Sequence, residues 1–176
     1  AADARTRPRL APVEGTAAPS DFLRRCVEAV QDGTRAHGPG LRPKLRGGDT
    51  RGVGLPYDDV ALARSLPRIF HTVRAMGLRA EDLEFHPHND TWLVVANCLA
   101  AVRAGCAVIN GTSLGKGERT GNAPPEAVLL HLSGRAHFAE RPPNFPAPNE
   151  LTANPPTPRH PPPPKLPLHR TRRPPP

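Results

Sequence analysis

Two histidines one residue apart stand in the run His86-Pro87-His88-Asn89-Asp90, at the end of a short apolar stretch. Side chains two apart on an extended strand point to the same face, so both imidazoles can reach one ion. They supply two ligands and leave the rest of a coordination shell open to a carboxylate, a water or a substrate. Asp90 is placed to accept a ring N–H and fix the tautomer. About thirty residues further on lies a glycine-rich run from Gly111 to Asn122. Its Gly115, Gly117 and Gly121 permit a tight loop over a ligand, and Glu118 with Arg119 can form an internal ion pair that holds it. Taken singly, an H-x-H pair is common and a glycine-rich loop is an ordinary strand-to-helix connection. Successive strand ends of a barrel, however, converge on one rim, and these two features are neighbours in order.

The elements that must position these residues follow from periodicity. A short apolar piece at residues 10–13 could be a strand. Ser20 can cap a helix in which Phe22, Cys26 and Val30 recur every four residues, stopping near Gly33. Residues 44–49 could form a strand leading into Gly52-Val53-Gly54. The 4-3-4-3 spacing of Leu62, Leu66, Ile69, Val73 and Met76 predicts a helix with Asp58 or Asp59 near its start, a bend at Pro67 and an end at Gly77. A strand at 83–86, a helix at 92–104 with Val95, Leu99 and Val102 inward, a strand at 107–110 and a helix at 123–132 complete the pattern, Pro124 and Pro125 fitting the last helix's first turn. Strand and helix alternate with short connections, the mark of parallel βαβ units.

Composition bounds the rest. At 176 residues the chain is shorter than the roughly 250 that a whole eight-fold α/β barrel usually needs. Residues 1–51 carry ten Lys/Arg against six Asp/Glu, residues 52–140 eight against nine, and residues 141–176 six against one. The basic excess is therefore terminal, which argues against nucleic acid as the partner. The longest apolar run, residues 92–102, is too short to cross a bilayer, and no signal peptide is visible. Cys26, Cys98 and Cys106 form no C-x-x-C pair, so a reduced, cytoplasmic protein is expected. Fifteen of the 25 prolines fall in residues 141–176, and the expectation there is a disordered or polyproline tail. Three regions result: an irregular piece at 1–18, an α/β domain at 19–140 and a basic Pro-rich tail at 141–176.

The pairing of His86-x-His88-Asn89-Asp90 with Gly117-Glu118-Arg119-Thr120-Gly121-Asn122 resembles the motifs of the acyl-CoA-dependent 2-oxo-acid condensing enzymes. That family includes isopropylmalate synthase, homocitrate synthase and the Re-face citrate synthase, and it is related to hydroxymethylglutaryl-CoA lyase. The resemblance implies a metal-dependent (β/α)8 TIM barrel, of which the chain would carry roughly strands five to eight, from about Leu10 to Phe138. Asp49-Thr50 and the glycines after it resemble the strand before the histidine strand, and Val13-Glu14 weakly resembles the strand before that. The resemblance also implies a divalent metal (Mg, Mn or Zn) on His86, His88 and Asn122, Asp90 as a supporting carboxylate, and Glu118-Arg119 as organisers of the glycine loop. Acyl-CoA would be the co-substrate and a small 2-oxo acid its partner, joined in a Claisen-type condensation. The lyase branch is expected to carry a cysteine in this loop, and Gly115 to Asn122 has none.

The same resemblance implies a first-strand aspartate and arginine, and no segment here matches them. The chain is therefore expected to be inactive by itself, and a homo-oligomer or a complementing half-barrel is an expected partner. The alternatives are a truncated or frame-shifted non-catalytic fragment, a lyase of the same superfamily, and a Pro-rich binding module built on residues 161–165.

Overall fold

The computed structural model describes residues 8–38 and 41–133. Four short strands, β1 (Arg9–Leu10), β2 (Lys44–Asp49), β3 (Leu83–Pro87) and β4 (Val108–Ile109), form one parallel sheet in the order β1-β2-β3-β4. Helices α1 (Ser20–His37), α2 (Leu66–Ala75) and α3 (Val94–Arg103) connect successive strands, and α4 (Pro125–Ser133) follows the last. Parallel strands need such crossovers, and short helices supply them. The expectations for residues 134–176, including the Pro-rich tail, lie outside the described residues.

Strand parity divides the sheet into two unlike faces. Register pairs Leu45 with Leu83 and Gly47 with Phe85, and Leu45, Leu83 and Phe85 join Leu23 and Val27 of α1, Leu66, Phe70 and Val73 of α2, Val94, Cys98 and Ala101 of α3 and Val128 and Leu132 of α4 in one core. Phe70 and Phe85 meet edge to face at 5.8 Å. Each side chain so buried contributes about 1.5–3 kcal/mol. The alternate positions, Lys44, Arg46 and Gly48 beside Glu84 and His86, face away from the helices.

Several expected elements shift. The first strand is two residues long, and turns occupy 13–17. Helix α1 starts after Pro19 with no side-chain cap and runs through Gly33 to His37. Its buried stripe is Leu23, Val27 and Thr34, while Phe22 is exposed. A strict four-residue repeat drifts around a helix, whereas 4-3 alternation holds one line. Helix α2 begins at Leu66, so Pro67 lies in its first turn and bends nothing. Ser65 caps it, accepting from Arg68 N, and Asp59 instead accepts from Ala61 N at 2.8 Å in the preceding loop. Phe70 joins the α2 core stripe. Helix α3 buries Val94, Cys98 and Ala101, with Val95, Leu99 and Val102 only partly covered. The small Cys98 and Ala101 allow the helix to lie close to the sheet. Trp92 precedes the helix at φ 62° and is 80% exposed.

Candidate functional site

The carboxyl ends of β2 and β3 and the loop after β4 meet at one rim. His88 N donates to Asp49 O at 3.1 Å, carrying the β2–β3 pairing one residue past β3. Beyond β4, the loop returns so that Asn122 bridges His88 in antiparallel fashion and Asn89 N donates to Gly121 O at 2.9 Å. Asn122 Nδ2 donates to Pro87 O at 3.3 Å. His86, His88 and Asn122, which lie far apart in the chain, are thus brought together, with His88 and Asn122 both more than nine-tenths buried.

The two imidazoles stand 5.5 Å apart, centroid to centroid, at 86° to each other. A ring bound through one nitrogen has its centroid about 3.2 Å from the ion, so two rings sharing an ion at ordinary angles lie about 4.5–5.5 Å apart. The spacing fits. The Nδ1 atoms of both rings are buried and make no hydrogen bond, an unusual condition that a ligand would relieve. Burial first, then His88 and Arg46, hold His86 below the usual imidazole range, favouring its neutral form. The set is nonetheless short of charge: among the described residues no three His, Cys, Asp or Glu side chains cluster as a metal site. An anionic ligand is missing from the donors present.

The expected partnerships on the rim are redistributed. Asp90 does not serve the histidine rings. Its carboxylate takes a fork from Arg119, Nε to Oδ1 at 2.8 Å and Nη2 to Oδ2 at 3.2 Å, and this bonding lowers the Asp90 pKa and raises that of Arg119. Arg119 Nη2 also donates to Thr50 O. Glu118, the expected mate of Arg119, is 3.9 Å from it and 85% exposed. Fork geometry explains the outcome: a planar guanidinium pairs best with a carboxylate that meets it edge to edge, and the backbone turn at Arg119 (φ 55°) aims it at Asp90. Arg119 therefore ties together the ends of β2, β3 and the glycine loop.

The glycines shape this loop from within. Gly115 and Gly121 have positive φ. A methyl group on Gly117 would overlap the Asn122 amide oxygen, so Gly117 is the floor against which Asn122 is set.

Two residues take on roles that the sequence reading did not assign to them. Asp49 is fully buried and accepts from Thr16 Oγ1 at 2.6 Å, Val53 N at 2.9 Å and Gly54 N at 3.1 Å. It pins the loop whose Gly52 lies under His88, where a Cβ would come within 2.7 Å of His88 O. An aspartate just ahead of a glycine turn is a known loop-holding pattern, and that signal was available. Glu84, two residues before His86 on the same face, receives Arg9 at 3.0 Å, Arg46 at 3.0 Å and Lys44 at 3.6 Å. Its signal was a lone carboxylate in an apolar strand beside a strand bearing Lys44 and Arg46. Burial alone would push its pKa up, but the Arg46 and Arg9 contacts outweigh it and the value is lowered. Burial pushes the Cys98 and Cys106 thiols up to about 12, which leaves them protonated and unreactive. A cleft of about 510 Å³ lined by Pro67, His71, Leu99 and Arg103 lies between α2 and α3 and contains none of the rim residues.

A parallel α/β sheet with helices on one face and polar groups gathered at its carboxyl rim is consistent with the class of TIM-barrel enzymes. The chain belongs to the HMGL-like family, whose model matches residues 9–145. It is 52% identical over 145 residues to 2-phosphinomethylmalate synthase of Streptomyces hygroscopicus, an alignment covering 82% of this chain and 33% of that protein. It is 44% identical over 91 residues to a citrate (Re)-synthase of Clostridium kluyveri, covering 51% of this chain and 20% of the relative. The chain thus spans a third or less of the length of these relatives. Its fold matches a Bacillus subtilis HMG-CoA lyase with TM-score 0.53 at 24% identity, over 73% of this chain and 41% of that one. No described helix is long and apolar enough to cross a membrane.

Proposed function

We propose that this chain forms the metal-binding rim, roughly strands five to eight, of a barrel enzyme that condenses an acyl-CoA with a 2-oxo acid. The observation that carries the reading is the convergence of His86, His88 and Asn122, two of them with buried ring nitrogens lacking partners. His86 and His88 would hold a divalent metal, with Asn122 as a further donor. Bound there, such an ion would act as a Lewis acid on the ketone of the 2-oxo acid. The chain's own groups hold the rim in shape: Arg119 clamps Asp90 and the end of β2, Glu118 leaves its carboxylate to solvent, and Gly115, Gly117 and Gly121 close the loop over Asn122. The names of the relatives support condensation, and a glycine loop without cysteine favours it over the lyase reading.

Calorimetric titration of the chain with Mn²⁺ or Zn²⁺ tests the site. His86→Ala is expected to weaken binding by about tenfold or more. Binding equal to that of the parent would remove His86 from the site and with it the proposal. The second reading, a non-catalytic piece, is favoured by the absence of an acidic third ligand among the described residues. It requires that the chain bind metal and turn over no acyl-CoA by itself.

A further inference from the structure

Trp92 stands where the backbone least favours it. At φ 62° it occupies the left-handed region that glycine enters freely and a bulky side chain rarely does. The turn that puts it there is fixed on several sides: Asn89 N donates to Gly121 O at 2.9 Å, Trp92 N to Asn89 O at 3.0 Å and Thr91 Oγ1 to Gly52 O. No burial offsets the strain, since the residue is 80% exposed. A strained aromatic held out to solvent beside a binding rim points to a role in contact with a ligand. Its neighbour across the Thr91–Gly52 bond is Arg51, whose Nε meets Glu14 Oε1 at 3.1 Å and whose terminal nitrogens are left to solvent, the side chain being 63% exposed. A flat ring next to a free guanidinium edge suits a heteroaromatic base that carries phosphate.

We infer that Trp92 and Arg51 form a subsite for the nucleotide end of the acyl-CoA, the indole stacking on the adenine and the guanidinium pairing with phosphate. The inference rests on the condensation reading, which supplies the co-substrate, and goes beyond it in assigning two residues outside the metal motif to the far end of that molecule. Reach permits both ends to be held at once. Four residues separate Trp92 from His88, so their Cα atoms lie no more than about 15 Å apart. The coenzyme's arm from sulfur to adenosine has about seventeen bonds and extends about 20 Å at the rise per bond of an extended chain.

Trp92 is the sole tryptophan of the chain, so a base stacked on it quenches the intrinsic fluorescence directly. The full chain is titrated with coenzyme A, with adenosine 3′,5′-bisphosphate and with pantetheine, and in parallel with Mn²⁺ alone. The expected result is saturable quenching by coenzyme A and by the bisphosphate and none by pantetheine, with affinity falling as salt is raised. By calorimetry, Trp92→Gly should weaken coenzyme A binding about tenfold and Trp92→Phe should keep most of the affinity. The melting temperature of Trp92→Gly should hold or rise, because glycine relieves the backbone. Arg51→Gln, on an exposed loop, serves should Trp92→Gly fail to fold; it is expected to weaken the bisphosphate and flatten the salt dependence. Three results overturn the inference: absence of quenching by the nucleotides, a Trp92→Gly variant that binds coenzyme A like the parent, or emission that shifts to the blue with chain concentration and not with nucleotide. The Mn²⁺ titration reads the metal rim separately. Its failure with quenching intact would sink the condensation reading and spare the nucleotide site, whereas metal binding without quenching would sink the subsite alone.

Discussion

Replacing Asp49 by alanine should destabilise the protein far more than its place outside the histidine motif suggests. The carboxylate is fully buried and accepts from one hydroxyl and two backbone amides, at 2.6, 2.9 and 3.1 Å. A buried donor left unsatisfied costs about 1–3 kcal/mol. Water can reach part of the vacated space, because Val53 is only half-buried, so the lower half of that range applies to each of the three donors and the total is about 3–6 kcal/mol. Small domains are stable by about 5–15 kcal/mol, so the loss is a large share. Urea unfolding followed by far-UV circular dichroism measures it; Trp92, being 80% exposed, would make a poor fluorescence probe. Thr16→Val removes one donor from an acceptor that keeps two, and should cost only about 0.5–1.5 kcal/mol. Burial raises the Asp49 pKa above its usual value in spite of its donors. A raised folded value means that the contribution is present in full below the unfolded pKa and is lost as pH rises through the folded one. Asp49→Asn should flatten that part of the stability profile. If Asp49→Ala unfolds within about 1 kcal/mol of the parent, the count of buried donors is the wrong basis for the stability of this loop.

Other outcomes can be checked with the same material. Phe85→Ala removes a fully buried ring packed edge to face with Phe70 and should cost about 3–5 kcal/mol in the same urea assay. Glu84→Gln should cost about 1–3 kcal/mol at neutral pH. The Glu84 pKa is lowered, so its contribution exists above the unfolded value of 4.5 and disappears as pH falls through the folded one; parent and variant should converge in acid. Gly117→Ala should push the Asn122 amide off its seat and weaken Mn²⁺ binding about tenfold while changing thermal stability little, which calorimetry and a melting curve together would show.

Much of the scaffold was legible because its physics is local. Strand β2 has the predicted bounds, set by the turn-rich stretch before it and the glycine turn after it, and β3 extends one residue past its predicted end. The convergence of His86 with Asn122 followed from the rule that neighbouring barrel strands share a rim. The errors arose where tertiary contacts decide. Phe22 fitted a four-residue repeat with Cys26 and Val30, yet that repeat drifts round the helix and Leu23 and Val27 are the residues buried in the core. Pro67 read as a kink because Leu62 extended the periodic stripe, whereas Ser65, buried and bonded to Tyr57 O at 2.6 Å, starts the helix just before it. Glu118 does keep a loose ion pair with Arg119 at 3.9 Å, but the planar fork goes to Asp90 across the rim, an approach that adjacent residues rarely offer.

The division of β3 into a greasy side and a charged side has an evolutionary corollary. Leu83 and Phe85 on one side and Glu84 and His86 on the other can each be exchanged one at a time, so the chemistry can drift while the packing holds, and the reverse. A single codon lost or gained within the strand is another matter. It would turn the carboxylate and imidazole into the hydrocarbon and the phenyl ring onto the charged side, destroying both roles in one step.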